Sequence, residues 1–380
     1  MRLPCLLLAA ALAVPAAATE TMPPAPPPKA KSEKALTLGA SYTIDLAVAG
    51  RGSNRLHRLD RLDLTGALAS ERFGWSGGRL FVRLLGNSGT RPNEDAGTLQ
   101  GVDNIEVDKD GLRLFEAWVE QDLGRGSVRL GAYDVNSEFY FTDSSALLLG
   151  PSFGIGGELS GTGPRGPAIF PYSALALRGE AKVGRSGLVR AAVVNADAGT
   201  LTDRGGLGLG FREGVLGIAE AGSEGPGGKL MVGGWAWSHR HDRLGKEGQA
   251  RSLGAYVLAE RPFGERLTGF ARLGISDGRT SSFRGGWQAG FTVAPAPLGG
   301  KDSALALGLH QAFLSRGERS AVADDGLRRA HSEHGAELTY RERFFDFVAV
   351  QPSVQLIRHP GGLAEARPAL VGTLRLGWEY

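Results

Sequence analysis

The chain has 380 residues, of which 58 are Gly and one is Cys. Gly at roughly twice its usual share, with no collagen period, argues against a helical protein, since each interior helix Gly costs on the order of 1 kcal/mol relative to Ala. The 43 basic and 40 acidic side chains are interspersed and leave a net charge of +3 with no basic stripe, which argues against a nucleic-acid-binding class.

Met1 and Arg2 precede an apolar run from Leu3 to Val14 and the small residues Ala16-Ala17-Ala18. This is the pattern of a secretory signal peptide over residues 1–18, to be excluded from the fold. Cys5 lies inside it, so the mature chain is expected to carry no disulfide, no thiol nucleophile and no Cys-based metal site. Residues 19–35, with Pro23-Pro24-Ala25-Pro26-Pro27-Pro28, read as an extended periplasmic spacer. Beyond it, no apolar run approaches the roughly 18 residues that a membrane helix needs.

From residue 36 to the end the period is two. Leu80, Val82 and Leu84 alternate with Arg79, Phe81 and Arg83, and Leu305, Leu307 and Leu309 with Ala304, Ala306, Gly308 and His310. Leu374, Leu376, Trp378 and Tyr380 alternate with Thr373, Arg375, Gly377 and Glu379. The pattern predicts about sixteen strands. In the first half they fall near 37–47, 59–69, 79–87, 112–122, 126–134, 173–183, 187–195 and 207–219. In the second half they fall near 229–240, 250–261, 266–275, 284–294, 303–313, 332–342, 346–357 and 368–380. Connections after even-numbered strands are short, such as 123–125, while those after odd-numbered strands are longer, most of all 88–111 and 135–172. Short turns at one rim and long loops at the other are the habit of outer-membrane barrels, with the turns periplasmic. The predicted class is therefore all-β, a transmembrane antiparallel barrel over residues 36–380, wide enough to enclose water.

Several stretches then carry a family likeness. They are Gly97-Thr98-Leu99-Gln100-Gly101-Val102-Asp103-Asn104-Ile105, Leu114-Phe115-Glu116-Ala117-Trp118-Val119-Glu120-Gln121, Phe153-Gly154-Ile155 with Gly166-Pro167-Ala168-Ile169-Phe170-Pro171, and Gln351-Pro352-Ser353 through Gly361-Gly362. With them the chain resembles the carbohydrate-selective porins of the OprB type. The resemblance implies a sixteen-stranded barrel in the outer membrane of a Gram-negative bacterium, passing mono- and oligosaccharides down a gradient without cofactor or enzymatic step. It also implies contact with outer-membrane lipid and with the barrel-assembly machinery through the last strand, which ends in Tyr380 rather than the commoner Phe. A homotrimer and a single barrel both stay open.

The Pro-stiffened segment 135–172 is expected to fold into the lumen and narrow it, with a surface cap as the plainer alternative. Glu138, Asp143, Glu158 and Arg165 would then face the inward strand positions Arg83, Glu116, Trp118, Arg129, Tyr133 and Arg178. Such side chains suit a sugar, which needs hydrogen-bond partners in place of water and an apolar face to slide over. Each could equally be a solvated lumen or rim charge. Trp235 and Trp237 read as an interfacial aromatic girdle in preference to a sugar platform. His239-Arg240-His241-Asp242 reads as an exposed rim in preference to a metal site, Gly205–Gly210 lacks the helix and Lys of a phosphate loop, and Asp108-Lys109-Asp110-Gly111 lacks the further ligands of a calcium loop. A general or anion-selective porin, and more remotely a barrel enzyme or adhesin, are the competing functions.

Overall fold

The structure is a computed structural model that describes residues 36–50, 55–199, 208–321, 328–345 and 347–380. The expected signal peptide, 1–18, and Pro-rich spacer, 19–35, lie outside the described residues.

Sixteen strands form one closed antiparallel barrel in which each strand pairs with its chain neighbours and β1 with β16. The first half comprises β1 Leu36–Gly50, β2 Leu56–Ala69, β3 Gly78–Gly89, β4 Gly111–Asp122, β5 Gly126–Tyr133, β6 Ala174–Val183, β7 Gly187–Asn195 and β8 Val215–Gly225. The second comprises β9 Gly228–Asp242, β10 Gln249–Phe263, β11 Leu267–Ser276, β12 Phe283–Val293, β13 Ala304–Leu314, β14 Ser332–Phe344, β15 Val348–Arg358 and β16 Ala369–Glu379. The ring closes through the register Ser41↔Glu379 to Gly50↔Leu370. It is extended by reciprocal main-chain bonds between Ala40 and Tyr380, at 3.1 and 2.8 Å. No sheet edge is left, as hydrocarbon requires.

The period of two sorts the side chains. Leu80, Val82, Leu112, Val128, Leu130, Leu177, Val354, Leu356 and Leu370 are exposed on the outer face, whereas Arg83, Glu116, Arg129, Arg178, Gln351 and Thr373 on the same strands are buried inside. Connections after even-numbered strands are brief, such as 123–125, 184–186 and 264–266, with 70–77 and 294–303 as the longer exceptions. Those after odd-numbered strands reach 90–110 and 134–173.

One strand differs from its expected position. β8 runs over Val215–Gly225 instead of 207–219, because the alternation of Leu209 and Phe211 belongs to an exposed connection, in which they are 73% and 53% exposed.

Burying an arginine in the lipid-facing band costs about 2–4 kcal/mol at mid-membrane. Val232→Arg is expected to lower the urea midpoint of the vesicle-folded barrel accordingly, while the inward change Gln288→Asn leaves it within about 1 kcal/mol.

Candidate functional site

The inner wall carries a run of ion pairs from strand to strand. Arg375 on β16 holds Asp45 on β1 at 2.6 Å, Arg61 and Arg83 on β2 and β3 share Asp63 at 2.7 and 2.6 Å, and Arg83 reaches Glu116 on β4 at 3.5 Å. Farther round, Glu120 receives Arg129 of β5 at 2.8 Å and Arg178 of β6 at 2.6 Å, and Arg190 of β7 meets Glu220 of β8 at 3.2 Å. Paired charges of this kind can sit on a crowded wall without the penalty of an isolated buried ion.

A register shift between Arg83 and Leu84 sets the geometry of β4, since Arg83 pairs with Glu116 but Leu84 pairs with Leu114. The extra residue, Phe115, therefore points inward together with Glu116, and both are nearly fully buried. Trp118 is flanked by Phe81 at a stacked 4.9 Å and by the Arg129 guanidinium 3.9 Å from its ring centre. Gly131 on β5 permits this packing, because a Cβ there would overlap the Trp118 backbone and its φ is +146°.

Two connections bond to the inward-facing side chains. In the connection 134–173, Glu138 accepts from Tyr133 Oη at 2.6 Å and from Arg178 at 2.8 and 2.9 Å. Burial would raise its pKa, but Arg129, Arg178 and Arg190 outweigh burial and hold it well below the carboxylate range. Beyond it, Arg272 on β11 donates to the carbonyls of Tyr140, Phe153 and Gly154 at 3.2, 2.5 and 2.9 Å. Glu260 accepts both the amide and the hydroxyl of Ser144 at 2.8 Å, and Glu337 accepts the amides of Leu149 and Gly150 at 2.6 and 2.8 Å. Charged groups donating to or accepting from main chain are worth about 1.5–3 kcal/mol each.

The second connection, 90–110, is fastened likewise. Glu333 accepts the amides of Leu99 and Gln100, Gln355 donates to the Val102 carbonyl at 2.7 Å, and Arg375 donates to Asn104 at 2.7 Å. The Asn104 amide in turn donates to the Leu149 carbonyl at 2.9 Å, joining the two connections. An inward role for 90–110 is absent from the sequence reading.

Where the connection 134–173 turns back toward β6, Phe170 meets the β2–β4 wall. Its ring is 6.3 Å from Phe115, edge to face, and 5.1 Å from the Arg61 guanidinium, while Arg83 lies 5.3 Å over Phe115. Aromatic faces, guanidinium donors and the acceptors Asp63 and Glu116 thus meet within one cluster.

Of the ten residues singled out in the sequence, Arg83, Glu116, Trp118, Arg129, Tyr133 and Arg178 line this stretch of wall, and Glu138 bonds to it from the connection. Three stand apart. Glu158 is fully buried beneath the connection, where it accepts from Tyr140 Oη at 2.6 Å, and burial raises its pKa. Arg165 is a rim residue, largely exposed and 3.3 Å from Asp197; Asp143 is exposed as well. Trp235 and Trp237 correct the girdle reading. Both are 4% exposed on the inner face, Trp235 stacked on Tyr256 and Trp237 donating to Thr162 at 3.1 Å, because their parity on β9 is that of Met231 and opposite to that of the exposed Val232. Arg61, Phe115 and Phe170 are the site residues that sequence reasoning missed. The Arg61-x-Asp63 polar parity of β2 was the available signal for Arg61, while the register shift hid Phe115.

A closed sixteen-stranded antiparallel barrel whose long connections bond to inward-facing side chains defines the class as a porin. The model of the carbohydrate-selective porin, OprB family, matches residues 53–380, and the chain belongs to that family. Among solved structures it is similar to OprB of Pseudomonas putida, with a TM-score of 0.80 and 17% identity over 91% of this chain and 94% of that one. It is also similar to the outer-membrane channel DcaP of Acinetobacter baumannii, with a TM-score of 0.58 and 10% identity over 91% and 97% of the two chains. No match was found among curated protein sequences. Family and fold are those of a sugar-preferring channel rather than an enzyme.

Asp134, at the start of the connection, has its pKa raised to about 7 by burial and then by Glu116, with Arg83 opposing. It is neutral below that pH and charged above it. Raising the pH from about 5.5 to about 8.5 is expected to increase the cation-to-anion permeability ratio, read from reversal potentials in a KCl gradient. Glu106, in the connection 90–110, is also raised to about 7 by burial, so Asp134→Asn should reduce the change without abolishing it, and an equal change in the variant would remove Asp134 as a source.

Proposed function

We propose that the protein is a passive outer-membrane porin of a Gram-negative bacterium whose sugar path runs between the connection 134–173 and the wall formed by β1–β5. The observation that carries this reading is the direction of the anchoring bonds. The clamps on 134–173 from Tyr140 onward come from β8–β15, namely Glu220, Glu260, Arg272, Thr292, Glu337 and Gln351, and draw the segment to that side. At its two ends, Glu138 and Phe170 come back to the charged and aromatic cluster of β2–β6.

A sugar entering this passage exchanges water for guanidinium and carboxylate partners while its apolar ring face passes over Phe170. Many modest contacts suit transport, since a single tight pocket would retain the solute. Phe170 is half-buried with Arg61 beside it, whereas Trp118 is flanked by Phe81 and Arg129. In this reading Phe170 is the surface that a sugar ring meets, and Trp118 supports Arg129. Glu138 ties Tyr133 and Arg178 to the base of the segment. The strand β16, followed by the aromatic Tyr380, is the strand offered to the assembly machinery.

In liposome swelling, a hexose is expected to enter faster than an amino acid of matched size; equal rates would favour a general porin. In planar bilayers, sugar block of the ionic current is expected to weaken roughly two- to twelvefold in Phe170→Ala, the worth of about 0.5–1.5 kcal/mol for an aromatic contact. Trp118→Phe should leave it near the wild-type value. The reverse ranking would exchange the two roles.

A further inference from the structure

On the outer face of β9 and β10, two arginines stand directly opposite each other, and the channel makes no use of them. Arg240 and Arg251 are register partners at the rim where the connection 243–248 joins the two strands. Both are exposed, at positions of the same parity as the outward Ala236 and Leu253. Among the described residues neither is bonded to a carboxylate. Asp242, the next outward position, accepts from Gln249 at 3.2 Å, and Asp277, beyond the end of β11, is held by Arg279 at 3.1 Å. Arg284, exposed on β12 and 5.7 Å from the Phe313 ring, adds a third guanidinium to this rim.

Like charges directly opposite across a strand pair repel, so the pair is destabilising unless an anion sits between them. Its position specifies the anion. Next below on this face lies Leu253, and farther down the same outer face run Ile275, Leu273, Val232 and Leu230, all 43–61% exposed, which is the apolar band that meets hydrocarbon. Two guanidiniums at the upper border of such a band lie at headgroup depth, and their planar donors match phosphate oxygens in bidentate fashion. We infer that Arg240 and Arg251 form a binding site for the phosphate of an anionic glycolipid headgroup in the outer leaflet. This rests on the reading of the barrel as membrane-embedded with its long connections outside.

The test uses the full mature barrel in mild detergent, delipidated and titrated with diphosphoryl lipid A, fully dephosphorylated lipid A and inorganic phosphate, with bound species counted by native mass spectrometry. Diphosphoryl lipid A is expected to bind the wild type and to bind Arg240→Gln/Arg251→Gln about thirtyfold more weakly, as two basic residues near a lipid surface imply. Dephosphorylated lipid A should bind both proteins equally and weakly. Unchanged affinity in the double variant, or equal affinity for the two lipids in the wild type, overturns the site. Displacement of the lipid by millimolar inorganic phosphate overturns its assignment to a lipid headgroup. Heat-modifiable gel mobility confirms that the variant is folded, and Arg240→Lys/Arg251→Lys, which keeps both charges, should restore part of the binding. Single-channel conductance is read on the same samples. Both proteins should conduct alike, and a wild type that fails to conduct counts against the channel reading while leaving the lipid comparison intact.

Discussion

Hydrocarbon offers nothing to an unpaired peptide group, and the architecture follows from that constraint. The sheet must close, so β16 returns to β1 over ten register pairs and Tyr380 completes the seam with Ala40. Closure with a period of two then gives every strand one face to lipid and one to the interior. Apolar residues can crowd the first while Arg, Glu and Gln occupy the second. The abundant glycine has a place in the same scheme, as at Gly131, which lets β5 approach Trp118.

The interior inherits a problem from this solution, because many charges face one another in a confined space. Many of them are paired, as with Arg83 between Asp63 of β2 and Glu116 of β4, or Arg178 between Glu120 of β4 and Glu138 of the connection 134–173. Other inward carboxylates, Glu260, Glu333 and Glu337, hold main-chain amides of the two long connections. The polar face that closure requires thus also provides the anchors that shape the passage. A single arginine such as Arg272, which joins the Tyr140 carbonyl to those of Phe153 and Gly154, shows how little side chain is needed to fix a long loop.

Much of this was legible in the sequence. Fifteen of the sixteen predicted strands overlap their observed positions closely, because a half-buried strand declares itself by alternation, as Leu374 and Leu376 do against Thr373 and Arg375. The family likeness rested on segments that turn out to include Phe115, Phe170 and the 90–110 connection. What alternation could not deliver were breaks in its own period. The displaced β8 followed from Leu209 and Phe211 in an exposed connection, and Phe115 was hidden because the register shift reverses parity at one residue. Trp235 and Trp237 were misassigned because an aromatic residue suits both a membrane interface and a covered inner wall; only neighbouring parity separates the two. Glu158 and Arg165 show the remaining limit. Residues of an irregular segment carry no period, so sequence alone cannot say that one is buried beneath Tyr140 and the other lies open at the rim.

The central claim is that solutes pass on the β1–β5 side of the connection 134–173 and not beneath it. The described residues hold no Cys, so a cysteine introduced into the barrel is the only thiol among them. Thr43, the register partner of Arg61 on β1, faces the proposed passage, whereas Ala306 on β13 is fully buried beside Leu148 and Phe153. In planar bilayers, a bulky charged thiol reagent should rapidly reduce the current through Thr43→Cys and leave Ala306→Cys unchanged. A silent Thr43→Cys together with a blocked Ala306→Cys would place the path on the other side of the connection and contradict the account.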